Sequence, residues 1–234
     1  NRTDGKHLFP SATAWQLPCL GGRIMNPWTQ PELAQDPAEW LGDAHPLVEQ
    51  LGSADGLASL HALADSLAVR PITSLPALRN FLRRYHERIL LPQELPAIQT
   101  AYDHVSRNEI RELIAFDQQI SREPAVRDFT SASRRVGLAQ LQKLRPLRDE
   151  RGVQRYLTAV ESGEAYGWHT LVYGMTLVLY SLPLRQGLLG YAHQTTRGFI
   201  HAAAKSLTVS EADCRALFEE LCAPLPQATE ALLA

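Results

Sequence analysis

The chain has 234 residues, 45% of them hydrophobic and 21% charged, with a formal net charge of −2. This is ordinary globular composition with enough length to bury a substantial core, and one domain with an appended arm is the default. The near-neutral balance and the lack of a Lys/Arg run leave no positive field to gather phosphate backbones, so nucleic acid is not an expected partner. The longest apolar run, Leu171 to Leu182, is interrupted by Gly174 and ended by Pro183. It falls short of the roughly 20 residues that cross a bilayer and is expected as a buried helix. Cys19, Cys214 and Cys222 form no CxxC pair and signal neither a disulfide framework nor a thiolate metal site, which fits a reducing cytoplasm. No basic segment with a following apolar stretch opens the sequence at Asn1, so no secretory leader is expected within it.

Residues 1–45 carry Pro10, Pro18, Pro27, Pro31 and Pro37 together with Trp15, Trp28 and Trp40. Proline at that density disfavours long helices, yet three tryptophans are too apolar for a free linker. The segment reads as an irregular arm packed on the body or on a second subunit. From about residue 56 the pattern turns helical. Leu78, Phe81, Leu82, Tyr85 and Ile89 recur at three- and four-residue steps, predicting a helix from about 75 to 90 with Ser74 as N-cap. Ile110, Leu113, Ile114 and Ile120 repeat the pattern after a polar break at Arg107 and Asn108, with Asp117 expected at the boundary of the stripe rather than buried.

A further helix has Pro124 in its first turn and runs through Phe129, Val136 and Leu141 to a stop at Pro146. The small residues Ser131, Ala132, Ser133 and Gly137 in its middle predict a close crossing with another element. Tyr166 to Leu182 is apolar almost all round and predicts a central helix, its β-branched content leaving a strand as the alternative. After Pro183, helical steps continue through Gly187, Gly190 and Gly198, whose cost in a helix implies close packing. Ser210 and Asp213 make a capping-box-like start for a helix to Cys222, and Pro224 begins a last short one. No alternating strand pairs appear. The chain reads as all-α, a single bundle of roughly eight to ten helices over residues 46–234.

Chemistry is sparse. The histidines form neither HExxH nor HxxxH, and His193 and His201, on one helix face, stand about 12 Å apart, too far to ligate one ion unaided. They read as partly exposed residues beside Arg197 and Lys205, with a site shared across a subunit interface as the alternative. His169, near the start of the apolar helix, reads as a hydrogen-bonded structural histidine, with a functional role as the alternative. GxSxG, GxGxxG and P-loop motifs are absent, and the Glu161–Glu164 and Glu219–Glu220 pairs read as solvated faces. Arg145, Arg148, Arg151 and Arg155 alternate with Asp149 and Glu150 around an expected loop. Local ion pairs in solvent are the simpler reading there, and a docking site for an acidic partner the other. No catalytic, cofactor-binding or metal residues are assigned and no cofactor is expected.

Taken in order, several segments resemble the UreF family of urease accessory proteins. ADGLASLHALADSLAVRPITSLPALRNFLRRY (54–85) places Gly56, Ser59 and Asp65 where the family has a glycine, a serine and an acid. ELPAIQTAYDHVSRNEIRELIAFDQQI (94–120), ASRRVG (132–137), GWHTLVYG (167–174) and FIHAAAKSLTVSEADCRALFEEL (199–221) are similar to successive family segments, so the resemblance covers roughly 46–222. It departs in three places. The family's Pro-Leu-Gly-Gln is Thr208-Val209-Ser210-Glu211 here, its Pro-x-Gly motif is reduced to Ala54-Asp55-Gly56-Leu57-Ala58-Ser59, and its basic, aromatic C-terminal tail does not follow Ala234. The resemblance implies a non-enzymatic, homodimeric cytoplasmic scaffold that binds a UreD/UreH-type accessory protein and a UreG-type GTPase during nickel insertion into urease or a related enzyme. Its matched and exposed positions, Ser59, Asp65, Arg135, Lys205 and Glu211, are the expected partner contacts. The alternatives are a helical metal-binding protein or enzyme whose site forms only in three dimensions, and a UreF-fold interaction protein with another client.

Overall fold

Ser74 starts the first helix as its sequence position predicts: its Oγ accepts the Ala77 N–H at 3.4 Å, and Pro76 occupies the first turn, where a missing N–H costs nothing. The computed structural model describes residues 72–122 and 130–234, within the unit Asp36–Ala234, and only the backbone of residues 130–132, 202, 205 and 206. The arm and the stretch holding Ser59 and Asp65 lie outside the described residues, as do Pro124 and Phe129.

The order is α1 (Leu75–Tyr85), a π-helical segment (His86–Glu94), α2 (Leu95–Ser106), α3 (Ile110–Ile120), α4 (Thr130–Leu144), α5 (Arg151–Ser162), α6 (His169–Leu179), α7 (Leu184–Leu207), α8 (Glu211–Cys222) and α9 (Leu225–Leu233). The described residues contain no strand, so the all-α reading holds and the strand alternative for the apolar segment does not. None of these helices is long and apolar enough to cross a membrane.

The predicted helix over 75–90 is corrected. The α-helix ends at Tyr85, and the chain continues without a break as a π-helix into α2. Pro92 lies inside that segment. It cannot donate a hydrogen bond and its ring displaces the carbonyl one turn back; the helix widens around it instead of breaking. Leu95 N–H accordingly reaches the Leu90 carbonyl, five residues back. The wider turn puts His86, Ile89, Leu90 and Glu94 on the buried side.

Helix α6 is the centre. Seven of its neighbours in sequence from Thr170 to Leu177, all but Thr176, are buried along with His169, whereas the predicted start at Tyr166 belongs to the preceding connection. Gly174 permits a close crossing, since a Cβ there would stand 2.6 Å from the Ile98 carbonyl oxygen of α2. A Cβ on Gly187 of α7 would stand 2.3 Å from the Leu177 side chain. The small stretch of α4 serves as its composition predicts: a Cβ on Gly137 would stand 1.9 Å from the Gly167 carbonyl oxygen, so α4 rests on the backbone that leads into α6. On the other side, Phe81 and Tyr85 of α1 meet Phe199 of α7 edge to face, with ring centroids 5.7 and 5.0 Å apart.

Asp117, expected at a boundary, is fully buried. Arg197, expected on a polar stripe, is buried as well, while His193 and His201 are half-buried. The predicted capping of α8 is present: Ser210 Oγ accepts the Asp213 N–H at 3.1 Å and its hydroxyl donates to the Asp213 carboxylate at 2.6 Å.

Replacing Gly137 by alanine sets a methyl group against backbone that cannot swing aside. Gly137→Ala is expected to lower unfolding stability by about 3 kcal/mol, read as a shift of the urea midpoint at unchanged slope. An unshifted midpoint would show that α4 does not sit this close to Gly167.

Candidate functional site

A chain of buried polar groups runs through the core. Ser133 Oγ accepts the His169 backbone N–H at 3.2 Å and stands 2.7 Å from His169 Nδ1. His169 Nε2 lies 2.7 Å from the Tyr191 hydroxyl. The hydroxyls of Tyr191 and of Tyr85 both donate to the Glu94 carboxyl group. Burial, then the neighbouring Glu94 charge, holds both phenols well above their ordinary pKa, so they stay protonated donors. One connected set of hydrogen bonds therefore joins α4, α6, α7, the π-segment and α1.

Beside it, His86 Nε2 stands 2.8 Å from Thr196 Oγ1, whose own hydrogen goes to the Ala192 carbonyl at 2.7 Å; the imidazole is thus the donor. Burial lowers the His86 pKa to about 4, Glu94 opposing and His193 adding to the shift.

A second buried site closes the connection into α6. The Asp117 carboxylate accepts the Tyr156 hydroxyl at 2.5 Å and the N–H groups of Tyr166 and Gly167 at 2.6 and 2.9 Å. Burial raises its pKa although these donors favour the charged form. Gly167 has φ +74°, a left-handed conformation that suits glycine. Trp168 adds an indole N–H bond to Ser121 Oγ at 2.7 Å.

Between the π-segment, α2, α3 and the start of α6 lies a cavity of about 310 Å³ that reaches Glu94, Trp168 and His169. A carboxyl group and an imidazole beside a cavity are the raw material of acid–base or metal chemistry. Here both imidazole nitrogens are held by Ser133 and Tyr191 and the carboxyl group is held by two phenols. Neither group reaches a ligand without breaking this network. Among the described residues, no group of three or more His, Cys, Asp or Glu side chains is arranged to hold a metal. His193 packs edge to face on Phe218 at 5.9 Å.

The structure does not gather the expected partner contacts into one constellation. Arg135 is exposed on α4. Glu211 opens α8, is exposed, and pairs with Arg215 one turn on at 2.9 Å. Lys205 is placed only as a backbone position near the end of α7. The departing tetrapeptide forms the tight joint between α7 and α8, in which Thr208 takes a left-handed φ of 53°. Glu161 and Glu220 are exposed as expected but not free of partners: Glu161 pairs with Arg145, and Glu220 holds Arg79 and Arg83 of α1. The sequence places Tyr85 on a buried face but does not reveal the polar roles of Tyr85, Glu94, Tyr156 and Tyr191. The available signals were Pro92 inside a helical pattern and Asp117 in line with an apolar stripe.

The UreF family model matches residues 72–222, more than half of the chain. The chain belongs to the UreF family of urease accessory proteins, an accessory family rather than one of catalytic enzymes, with a role in urease maturation. The match starts at 72 rather than at 46, so Ser59 and Asp65 fall outside it. No curated protein matches the chain.

Two predictions follow from this geometry. The unfolded chain protonates His86 near 6.5 and the folded chain only near 4, so the unfolded state binds more protons between these values. Stability from neutral His86 is thus present above about pH 6.5 and lost as pH falls toward 4, by about 2 kcal/mol between pH 7 and pH 5. His86→Gln should flatten that part of the pH profile in urea unfolding; an equally steep profile would assign the acid sensitivity elsewhere. At the α7–α8 joint a β-branched residue holds a conformation glycine adopts freely, and Thr208→Gly is expected to raise stability by roughly 0.5–1 kcal/mol, seen as a melting temperature higher by a few degrees.

Proposed function

We propose that this chain is a non-enzymatic cytoplasmic scaffold that acts as a homodimer, binding a UreD/UreH-type accessory protein and a UreG-type GTPase while nickel is inserted into urease. The observation that carries this reading is the family match, which spans the helical body from α1 to α8. The interior supports it: the carboxyl and imidazole groups that chemistry would use are tied to one another, which fixes the relative positions of the helices and leaves the outer faces to make contacts. Exposed Arg135 and Glu211, Lys205, and Ser59 and Asp65 are proposed as partner contacts. The tight Thr208-Val209-Ser210-Glu211 joint favours a second reading, a client other than urease, because this is where the chain leaves the family pattern.

Co-purification of the full chain with a UreG-type GTPase and a UreD/UreH-type protein, followed by light scattering, tests the proposal. A complex containing two copies of this chain is expected, with Lys205→Glu weakening GTPase retention at least tenfold at unchanged helicity. A chain that binds neither partner would sink the urease reading.

A further inference from the structure

Six arginines of the described helices and loops have carboxylate partners: Arg79 and Arg83 on Glu220, Arg84 on Glu87, Arg145 on Glu161, Arg185 on Glu230 and Arg215 on Glu211. The open groove between α3 and α5 differs. Arg111, Arg148, Arg151 and Arg155 line it together, and none of the four is joined to a carboxylate among the described residues. The expected local ion pairs with Asp149 and Glu150 are not formed among the described residues, and Arg145 pairs instead with Glu161, sixteen residues on. Glu164 is the one acid on the groove wall, so the wall is cationic although the chain as a whole is not. Arg151 is the first residue of α5, and the exposed acids Asp149 and Glu150 precede it on the loop side without forming an ion pair with any of the four arginines.

The groove has a volume of about 810 Å³, room for several side chains, and half-buried Ile114 gives it apolar surface. Leu147, 40% exposed, sits in the loop next to Arg148. The walls are held in place. Gln154 donates to the carbonyls of Arg145 and Leu147, both at 3.1 Å, fixing the loop on α5, and Gln118 donates to the Glu164 carbonyl at 2.8 Å, fixing the far end on α3.

We infer that the groove between α3 and α5 binds an acidic, partly apolar peptide segment of a partner protein. Guanidinium groups take carboxylates as paired hydrogen bonds, and four of them gathered without a direct carboxylate partner favour such a ligand. The apolar surface and exposed Leu147 favour a peptide that carries aliphatic side chains between its acids over a bare phosphate. A net charge of −2 opposes a nucleic-acid backbone, whose binding grows with the number of phosphates neutralised. The inference rests on the groove and not on the urease reading, and its test uses no urease component.

The probe is a fluorescein-labelled peptide of alternating Glu and Leu residues, titrated with the full chain and followed by anisotropy. Binding that weakens with salt is expected, together with at least a tenfold loss in Arg151→Glu/Arg155→Glu. The control Arg84→Glu/Arg88→Glu changes net charge equally at exposed positions of α1 and the π-helical segment, neither of which lines the groove, and should bind as the parent does. Circular dichroism checks folding, and Arg151→Gln/Arg155→Gln serves if the charge-reversed pair is unfolded. No binding, equal loss in both pairs, or stronger competition by inorganic phosphate or a single-stranded oligonucleotide than by unlabelled peptide would each overturn the proposal.

Discussion

The structure depends on a carboxyl group that has been taken out of water. Glu94 is 2% exposed, and the desolvation of a carboxylate costs several kcal/mol unless its oxygens are satisfied. Here two phenols satisfy it, one from α1 and one from α7, and the second phenol is itself held by His169 of α6, which is held by Ser133 of α4. Each link is directional, so a helix cannot slide along its neighbour without leaving a buried polar group unpaired, at about 1–3 kcal/mol for each such group. Apolar packing alone would tolerate several registers; this network selects one.

The network also accounts for the π-helix. An α-helical continuation past Tyr85 would turn Glu94 by a different angle and would meet Pro92 with an unpaired carbonyl. The wider turn accommodates the proline and brings Glu94 to the same side as His86, Ile89 and Leu90. Just ahead of α6, Asp117 does similar work on the connection through Gly167, whose backbone is also the surface that Gly137 touches. The entry to the central helix is thus clamped from α3, α4 and α5.

Much of this was legible in the sequence wherever burial imposes a period. Leu78, Phe81, Leu82 and Tyr85 announce their helix because one face of it is apolar, and Gly137 announces a close approach because only a missing side chain permits it. The polar core was not legible, for a physical reason. Asp117 meets its partners 39 to 50 residues away along the chain, and no local period records such a pairing. A lone acid in an apolar stripe reads as a boundary residue until its donors are seen. Pro92 likewise reads as a stop, because the tertiary contacts that sustain the helix around it lie elsewhere. Arg111 and Arg155 share a groove only because α3 and α5 pack together, which spacing along the chain does not reveal. Arg135 and Glu211 were reachable only through resemblance, since nothing in their local pattern distinguishes them from other surface charges.

The division of polar groups between inside and outside bears on function. Among the described residues, Glu94, His169, Tyr85 and Tyr191 are engaged in fixing helix positions, and their donors and acceptors are directed at one another. What varies at the surface is whether charge is balanced. Most of the ion pairs named above are exposed and contribute little to stability, about 0–1 kcal/mol each, but they neutralise the faces on which they lie. The α3–α5 groove is left unneutralised while its backbone is pinned by two glutamine side chains. A groove left cationic among the described residues and pinned in place is suited to recognising another protein, because the cost of ordering its own side of the contact was met when the chain folded.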